Sequence, residues 1–151
     1  TSERGEDHRP ETHIIPVALQ ALLGQREHFT VFGTDYPTDD GTAVRDYVHV
    51  VDLVDAHITA LEKLEQSSLG AINIGTRDGF SVQQIVDSIE RVTVKQLPLK
   101  YGERRAGDPP ALIADTTRAR ELIGWNPQRS TLDEMIGSAW DWMPAHPNGY
   151  Q

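Results

Sequence analysis

GTDYPTDDGTAVRDYVHVVD, residues 33–52, is the most informative stretch of this 151-residue chain. Gly, Thr, Pro and Asp crowd residues 33–46, which reads as a long ordered loop, and loops of that length inside a compact domain usually carry function. Its glycines let the backbone approach a ligand closely. Arg45 offers a planar fork of donors that matches phosphate oxygens in pairs. From the residues alone two readings of Arg45 stand level: a phosphate clamp, or a surface arginine paired with a nearby carboxylate. The β-branched and aromatic residues 47–50 read as a strand. Asp52 then reads as the N-cap of a helix over 52–65, with Val54, Ile58 and Leu61 on one face.

Outward from this stretch, helical and extended segments alternate, which argues for an α/β or α+β unit. Residues 1–12 are a polar lead-in. Residues 14–25 have helical periodicity up to a stop at Gly24, and 28–32 are β-like. A strand is expected over 71–74, ended by Gly75. Ser81 and Gln84 form a capping box, with Phe80 and Ile85 as its hydrophobic staple, opening a helix to about residue 92. Residues 97–101 are extended and 104–110 form a second loop. Asp115 is placed to cap a short helix ending near Gly124. Thr131 and Glu134 form a second capping box, which opens a helix running to about residue 143.

Composition narrows the partners. A net charge of −9 argues against nucleic acid, whose phosphates need a basic face. An anionic ligand would need arginines gathered locally against that field. There is no cysteine, which excludes disulfides and thiolate chemistry and is compatible with a reducing compartment. No apolar run approaches the ~18 residues of a membrane span, and no signal peptide is visible. The chain opens on Thr1 rather than Met, which reads as a start inside a longer protein.

Two further segments carry candidate chemistry. In ERRAGDPPA, residues 103–111, adjacent arginines on an extended chain point opposite ways, so one of Arg104 and Arg105 faces any ligand. Asp108 can accept hydrogen bonds from a ribose. By itself the segment reads first as a solvated charge pair before a Pro-Pro turn. Thr30, Val31 and Phe32 could read the polar edge of a base through strand-edge backbone groups, or form an ordinary core strand. The six histidines show no metal-ligand spacing among themselves. His49 reads as a satisfied structural histidine. Neither a GxGxxG or GxxGxxG turn after a strand nor a Tyr-x-x-x-Lys pair occurs, so no catalytic, cofactor-binding or metal residue is assigned.

The run GxDYPTxDGTxxRDYxHVxDLxxAH, from Gly33 to His57, resembles the signature of the UDP-glucose 4-epimerase family, which are extended short-chain dehydrogenases/reductases. The likeness continues in order through GED at 5–7, IIP at 14–16, INIG at 72–75, RRxGDxPA at 104–111, Asp115 to GWxP at 124–127, TLDEM at 131–135 and HPNGY at 146–150. It implies that residues 13–151 are the small C-terminal UDP-sugar-binding domain, in an α/β fold that also includes elements packing on an N-terminal Rossmann domain. Arg45 and Arg105 match positions that hold the diphosphate, Asp108 the one that holds the uridine ribose, and Thr30 to Phe32 the segment around the uracil. His13 stands where many members carry an asparagine that contacts phosphate. Leu112 stands beside the sugar, where members differ in size. Leucine is smaller than the tyrosine found in some, so an N-acetylated hexose would fit. A full-length enzyme that turned over UDP-galactose but never UDP-N-acetylgalactosamine would contradict this.

The resemblance also implies a reaction, the interconversion of UDP-galactose and UDP-glucose in galactose metabolism through a 4-keto intermediate. A tyrosine removes the 4-hydroxyl proton and bound NAD carries the hydride. It further implies a cytoplasmic, homodimeric enzyme. The tyrosine, its lysine and the dinucleotide loop precede residue 1 in the family, so the chain alone is expected to bind and not to epimerise. Its 52–65 helix is expected to expose an apolar face that the Rossmann half would cover. Another nucleotide-sugar epimerase or dehydratase of the family, or a non-catalytic binding fragment, are the alternatives.

Overall fold

The computed structural model describes residues 3–64 and 68–150. The first helix, α1, spans Ile14–Leu22. Pro16 lies in its first turn, where its missing N–H is not needed. The helix closes at Gly24, whose φ of 75° suits glycine and whose N–H reaches the carbonyl of Ala21 at 3.1 Å. Strand β1, Phe29–Phe32, follows and pairs in parallel with a later strand, β4, Leu99–Gly102.

The signature loop leads to β2, Val44–Arg45. This short strand is the middle of a three-stranded sheet. It runs antiparallel to β3, Phe80–Ser81, and parallel to β5, Ala111–Leu112. Arg45 therefore sits in a ladder rather than in an open loop. Residues 47–49 are not a strand. The ladder ends at Arg45, and the carbonyl of His49 already accepts from Leu53 N–H at 3.0 Å, which starts α2 at Val50–Leu64. Asp52 is thus inside the first turn and caps nothing in its own helix. Residue 65, the expected end, lies outside the described residues. Residues 71–74 also form no strand, because no ladder partner lies beside them among the described residues. Ile72 and Ile74 pack into a hydrophobic cluster instead.

The remaining helices are α3, Val82–Thr93, α4, Thr117–Ile123, and α5, Leu132–Trp142. At α3 both halves of the capping box form: Ser81 Oγ accepts from Gln84 N–H at 3.0 Å and Gln84 Oε1 accepts from Ser81 N–H at 2.9 Å. At α5 Thr131 Oγ1 accepts from Glu134 N–H at 3.3 Å. The residue preceding α4 is Thr116, one past Asp115, though Asp115 Oδ1 still accepts from Thr117 N–H at 2.9 Å.

Two cores result. The larger joins Ala18 and Leu19 of α1, Phe29 and Val31 of β1, Ile85 and Ile89 of α3, and Met135 and Ile136 of α5. The smaller gathers Ala56 of α2, Leu69, Ala119 and Ile123 of α4, and Trp125, whose indole N–H donates to the Gly75 carbonyl at 2.7 Å. The outer face of α2 is uncovered: Val50, Val54, Ile58, Leu61 and Leu64 are all at least half exposed.

The loop between β1 and β2 is anchored, not free. Tyr36 N–H donates to the Gly41 carbonyl at 2.9 Å, and Asp40 Oδ1 accepts from both the N–H and the hydroxyl of Thr42, at 2.8 and 2.7 Å. Asp40 Oδ2 also accepts from the Ser81 hydroxyl, and Gln83 N–H donates to Thr42 Oγ1 at 3.1 Å. Burial works against the Asp40 carboxylate, but the bonds from Ser81 and Thr42 outweigh it and hold its pKa below the usual 3.8. Gly41 turns this loop at a φ of 79°, and a Cβ there would fall on the Thr34 carbonyl oxygen. Gly41→Ala is expected to destabilise the fold by about 2 kcal/mol, read as a lower denaturant midpoint. A midpoint equal to wild type would contradict the anchoring.

Candidate functional site

A cavity of about 480 Å³ opens between the start of α1, the side of β1 and the 104–110 loop. Thr30 and Phe32 of β1 line it, as do Ile14 and Val17 of α1, with Arg105 and Asp108 across the mouth. From Thr30 onward strand alternation explains the selection, while Phe29 both lines the cavity and belongs to the larger core. Thr30 and Phe32 face the cavity, while Val31 between them is fully buried in the larger core. Among the described residues β1 has a strand neighbour on one side only, β4.

The two adjacent arginines do point apart. The Arg105 guanidinium lies 4.2 Å over the Phe32 ring and lines the cavity. The Arg104 guanidinium lies 4.4 Å over the Tyr36 ring, donates to Asp35 Oδ1 at 2.6 Å, and is directed away from the cavity lining. Arg45 reaches the site through a partner: its Nη2 donates to Asp108 Oδ1, and its Nη1 donates to the Val44 carbonyl at 2.6 Å. Arg45 is thus a carboxylate-paired fork beside the cavity. Tyr47 packs beside this pair. Burial, with some help from Asp108 and against Arg45, pushes its hydroxyl pKa up to about 12, so it stays a proton donor.

Four of the residues named from sequence stand outside the lining: Val31, buried in the core, Arg45, which meets it through Asp108, and Leu112 and His13. Leu112 is the ladder partner of Arg45 and is 62% exposed on the sheet surface. The His13 ring turns from the cavity toward Glu6 and Glu11, with Nδ1 at 3.0 and 3.1 Å from their carboxylates. Conversely, Glu11, Arg26 and His28 line the cavity without having been singled out by any motif. Arg26 is held by Gln20 Oε1 at 2.6 Å and by the Glu11 carbonyl at 3.2 Å. An arginine in the short connection between a helix and a strand carries no pattern that sequence reading could catch.

His49 lies apart from the cavity and is fully engaged. Its Nδ1 accepts from Val51 N–H at 3.1 Å, so the proton is assigned to Nε2, which donates to Ser138 Oγ at 3.0 Å. The Ser138 hydroxyl in turn donates a hydrogen bond to the Met135 carbonyl at 3.0 Å. The His49 N–H donates to Ser130 Oγ at 2.9 Å, and Ser130 in turn donates to Asp52 at 2.6 Å. Burial holds the His49 pKa below its usual 6.5, although the Asp52 charge opposes this. A depressed folded-state pKa gives stability that is fully present above the unfolded pKa and is lost as pH falls toward the folded one. The His49 ring is therefore expected to titrate below 6.5 by NMR, with the urea midpoint falling through the same window. A ring that titrated above 6.5 would reverse the sign.

The chain matches the family described as GDP-mannose 4,6 dehydratase over residues 1–138. It is 50% identical over 147 residues to the UDP-glucose 4-epimerase of Lacticaseibacillus casei, covering 97% of this chain and 44% of that protein. A crystal structure of UDP-glucose 4-epimerase superposes with a TM-score of 0.92 at 47% identity, over 99% of this chain and 46% of the other. The Stenotrophomonas maltophila UDP-glucose-4-epimerase, solved with bound NAD and formylated UDP-arabinopyranose, superposes at 0.86 with 34% identity, over 94% of this chain and 42% of the other. The chain spans a little under half the length of the relatives it matches.

Proposed function

Because this chain belongs to the GDP-mannose 4,6-dehydratase family, within the extended short-chain dehydrogenases/reductases, we propose that it is the UDP-sugar-binding part of a UDP-glucose 4-epimerase, a cytoplasmic enzyme of galactose metabolism. One observation carries the reading: Arg105, Asp108 with its partner Arg45, and the Thr30 and Phe32 face of β1 converge on one cavity. In this reading Arg45 and Arg105 take the diphosphate, Asp108 the ribose, and residues 30–32 the uracil. For Arg45 to bind a phosphate, its fork must exchange the Asp108 carboxylate for phosphate oxygens, which frees Asp108 for the ribose hydroxyls. The ladder pairing of Arg45 with Leu112 supports a sugar position next to the diphosphate. His13 would reach a phosphate only by leaving Glu6 and Glu11.

In the whole enzyme NAD supplies hydride transfer. The described residues do not fit that cofactor. At the tightest strand-to-helix junction, β3 into α3, the first helical N–H groups already donate to the Ala43 carbonyl, Thr42 Oγ1 and Ser81 Oγ. The contribution of these residues is to bind and orient. The uncovered apolar face of α2 is the surface on which a dinucleotide-binding domain would pack. Calorimetric titration of UDP into the protein tests the reading. Saturable one-to-one binding, together with unchanged UDP-galactose when the chain is incubated alone with NAD, is expected. A flat titration would overturn it.

A further inference from the structure

Beside the cavity, which Glu11 also lines, the structure gathers a second group of polar side chains, of which the function above uses only His13. Glu6, His8, Glu11 and His13 fall within eight residues, and the chain bends at Arg9 and Pro10 to fold them onto one point. Each offers one ligand atom, and these atoms all lie within 4.8 Å of one another. His13 Nδ1 is 3.0 Å from Glu6 Oε1 and 3.1 Å from Glu11 Oε1, and His8 Nδ1 is 3.6 Å from Glu11 Oε1. The two imidazole rings stand 5.0 Å apart, centre to centre.

We propose that Glu6, His8, Glu11 and His13 form a binding site for a divalent transition-metal ion of the zinc type. The spacing fits. A tetrahedral ion with ligands at about 2.0–2.1 Å needs ligand atoms about 3.3 Å apart, and the three pairs above span that value. The donor set selects the ion: two imidazoles favour Zn²⁺, Co²⁺ or Ni²⁺ over Mg²⁺ and Ca²⁺, which prefer all-oxygen shells. One ligand is already fixed. The Glu11 side chain is 7% exposed, and its Oε1 accepts from the N–H groups of Thr12 and His13, both at 2.8 Å. Such bonds to a ligating carboxylate orient it. The other three side chains are on the solvent side, so an ion has an open path.

The site has a structural consequence. Glu11 and Thr12 line the cavity beside α1, and His8 and Glu11 line a neighbouring cavity of about 440 Å³ against residues 146–149. An ion held here ties the lead-in segment to the start of α1 and so fixes one rim of the cavity. The histidine spacing alone gave no sign of it, because half the donors are glutamates brought in by the bend.

Calorimetric titration of the whole protein with ZnCl₂ is expected to show one saturable equivalent, and MgCl₂ none. His8→Ala and His13→Ala are each expected to weaken Zn²⁺ about tenfold or more, while His57→Ala, an exposed histidine on α2, leaves it unchanged. A second measurement needs no variant: one equivalent of Co²⁺ should give the intense visible bands of a tetrahedral site. No saturable uptake, uptake that survives the loss of both His8 and His13, or a weak octahedral Co²⁺ spectrum would each overturn the proposal.

Discussion

Arg105→Ala is expected to weaken UDP binding by about 2 kcal/mol, roughly thirtyfold, a typical loss for a charge-assisted hydrogen bond. Arg105 is held ready for this by the Phe32 ring, 4.2 Å beneath its guanidinium. The stack orients the fork before any ligand arrives, so little side-chain freedom remains to be lost on binding. Arg105→Lys keeps the charge but loses the planar fork and most of the stacking, so it should fall between the two. Its neighbour is the control. Arg104 is committed to Asp35 and Tyr36, and Arg104→Ala should change UDP affinity by no more than about 0.5 kcal/mol. Calorimetry on the three variants decides: equal losses at 104 and 105, or none at 105, would remove Arg105 from the site.

Asp52→Ala is expected to cost about 3 kcal/mol of folding stability. The residue is 3% exposed. Its carboxylate accepts from Gln128 N–H at 3.1 Å, Arg129 N–H at 2.9 Å and Ser130 Oγ at 2.6 Å. Burial would raise its pKa, but these three bonds outweigh burial and lower it below 3.8. Alanine leaves all three donors without a partner and opens the joint where α2 meets the segment between α4 and α5. Asp52→Asn, with one acceptor oxygen instead of two, should lose less. The two urea midpoints order the variants, and an alanine variant as stable as wild type would contradict this account.

Asp52 also shows where sequence reading stops. An aspartate before an apolar periodic run reads as an N-cap, because the local signal is the same. Its partners at 128–130 lie far along the chain and leave no trace near residue 52. The same limit applies to strands. Val44 and Arg45 are a strand because Phe80–Ser81 and Ala111–Leu112 flank them, while residues 71–74 have the right composition and no ladder neighbour. What was legible was local: the reciprocal bonds of Ser81 and Gln84, the stop at Gly24, the opposed directions of Arg104 and Arg105. In the candidate site, Thr30, Phe32, Arg105 and Asp108 sit in stretches with a pattern and could be named in advance. Glu11 and Arg26 reach the same cavity by the packing of α1 and could not. His13 was named for a phosphate, and its ring faces two carboxylates.

From Thr30 onward strand β1 divides its labour residue by residue, with Phe29 before it serving both core and cavity. Val31 belongs wholly to the interior, and Thr30 and Phe32 on either side belong to the cavity. Changes at positions 30 and 32 therefore bear first on the cavity, and changes at Val31 first on the core. Selection acting on what the cavity accepts and selection acting on whether the chain folds read different letters of the same short word.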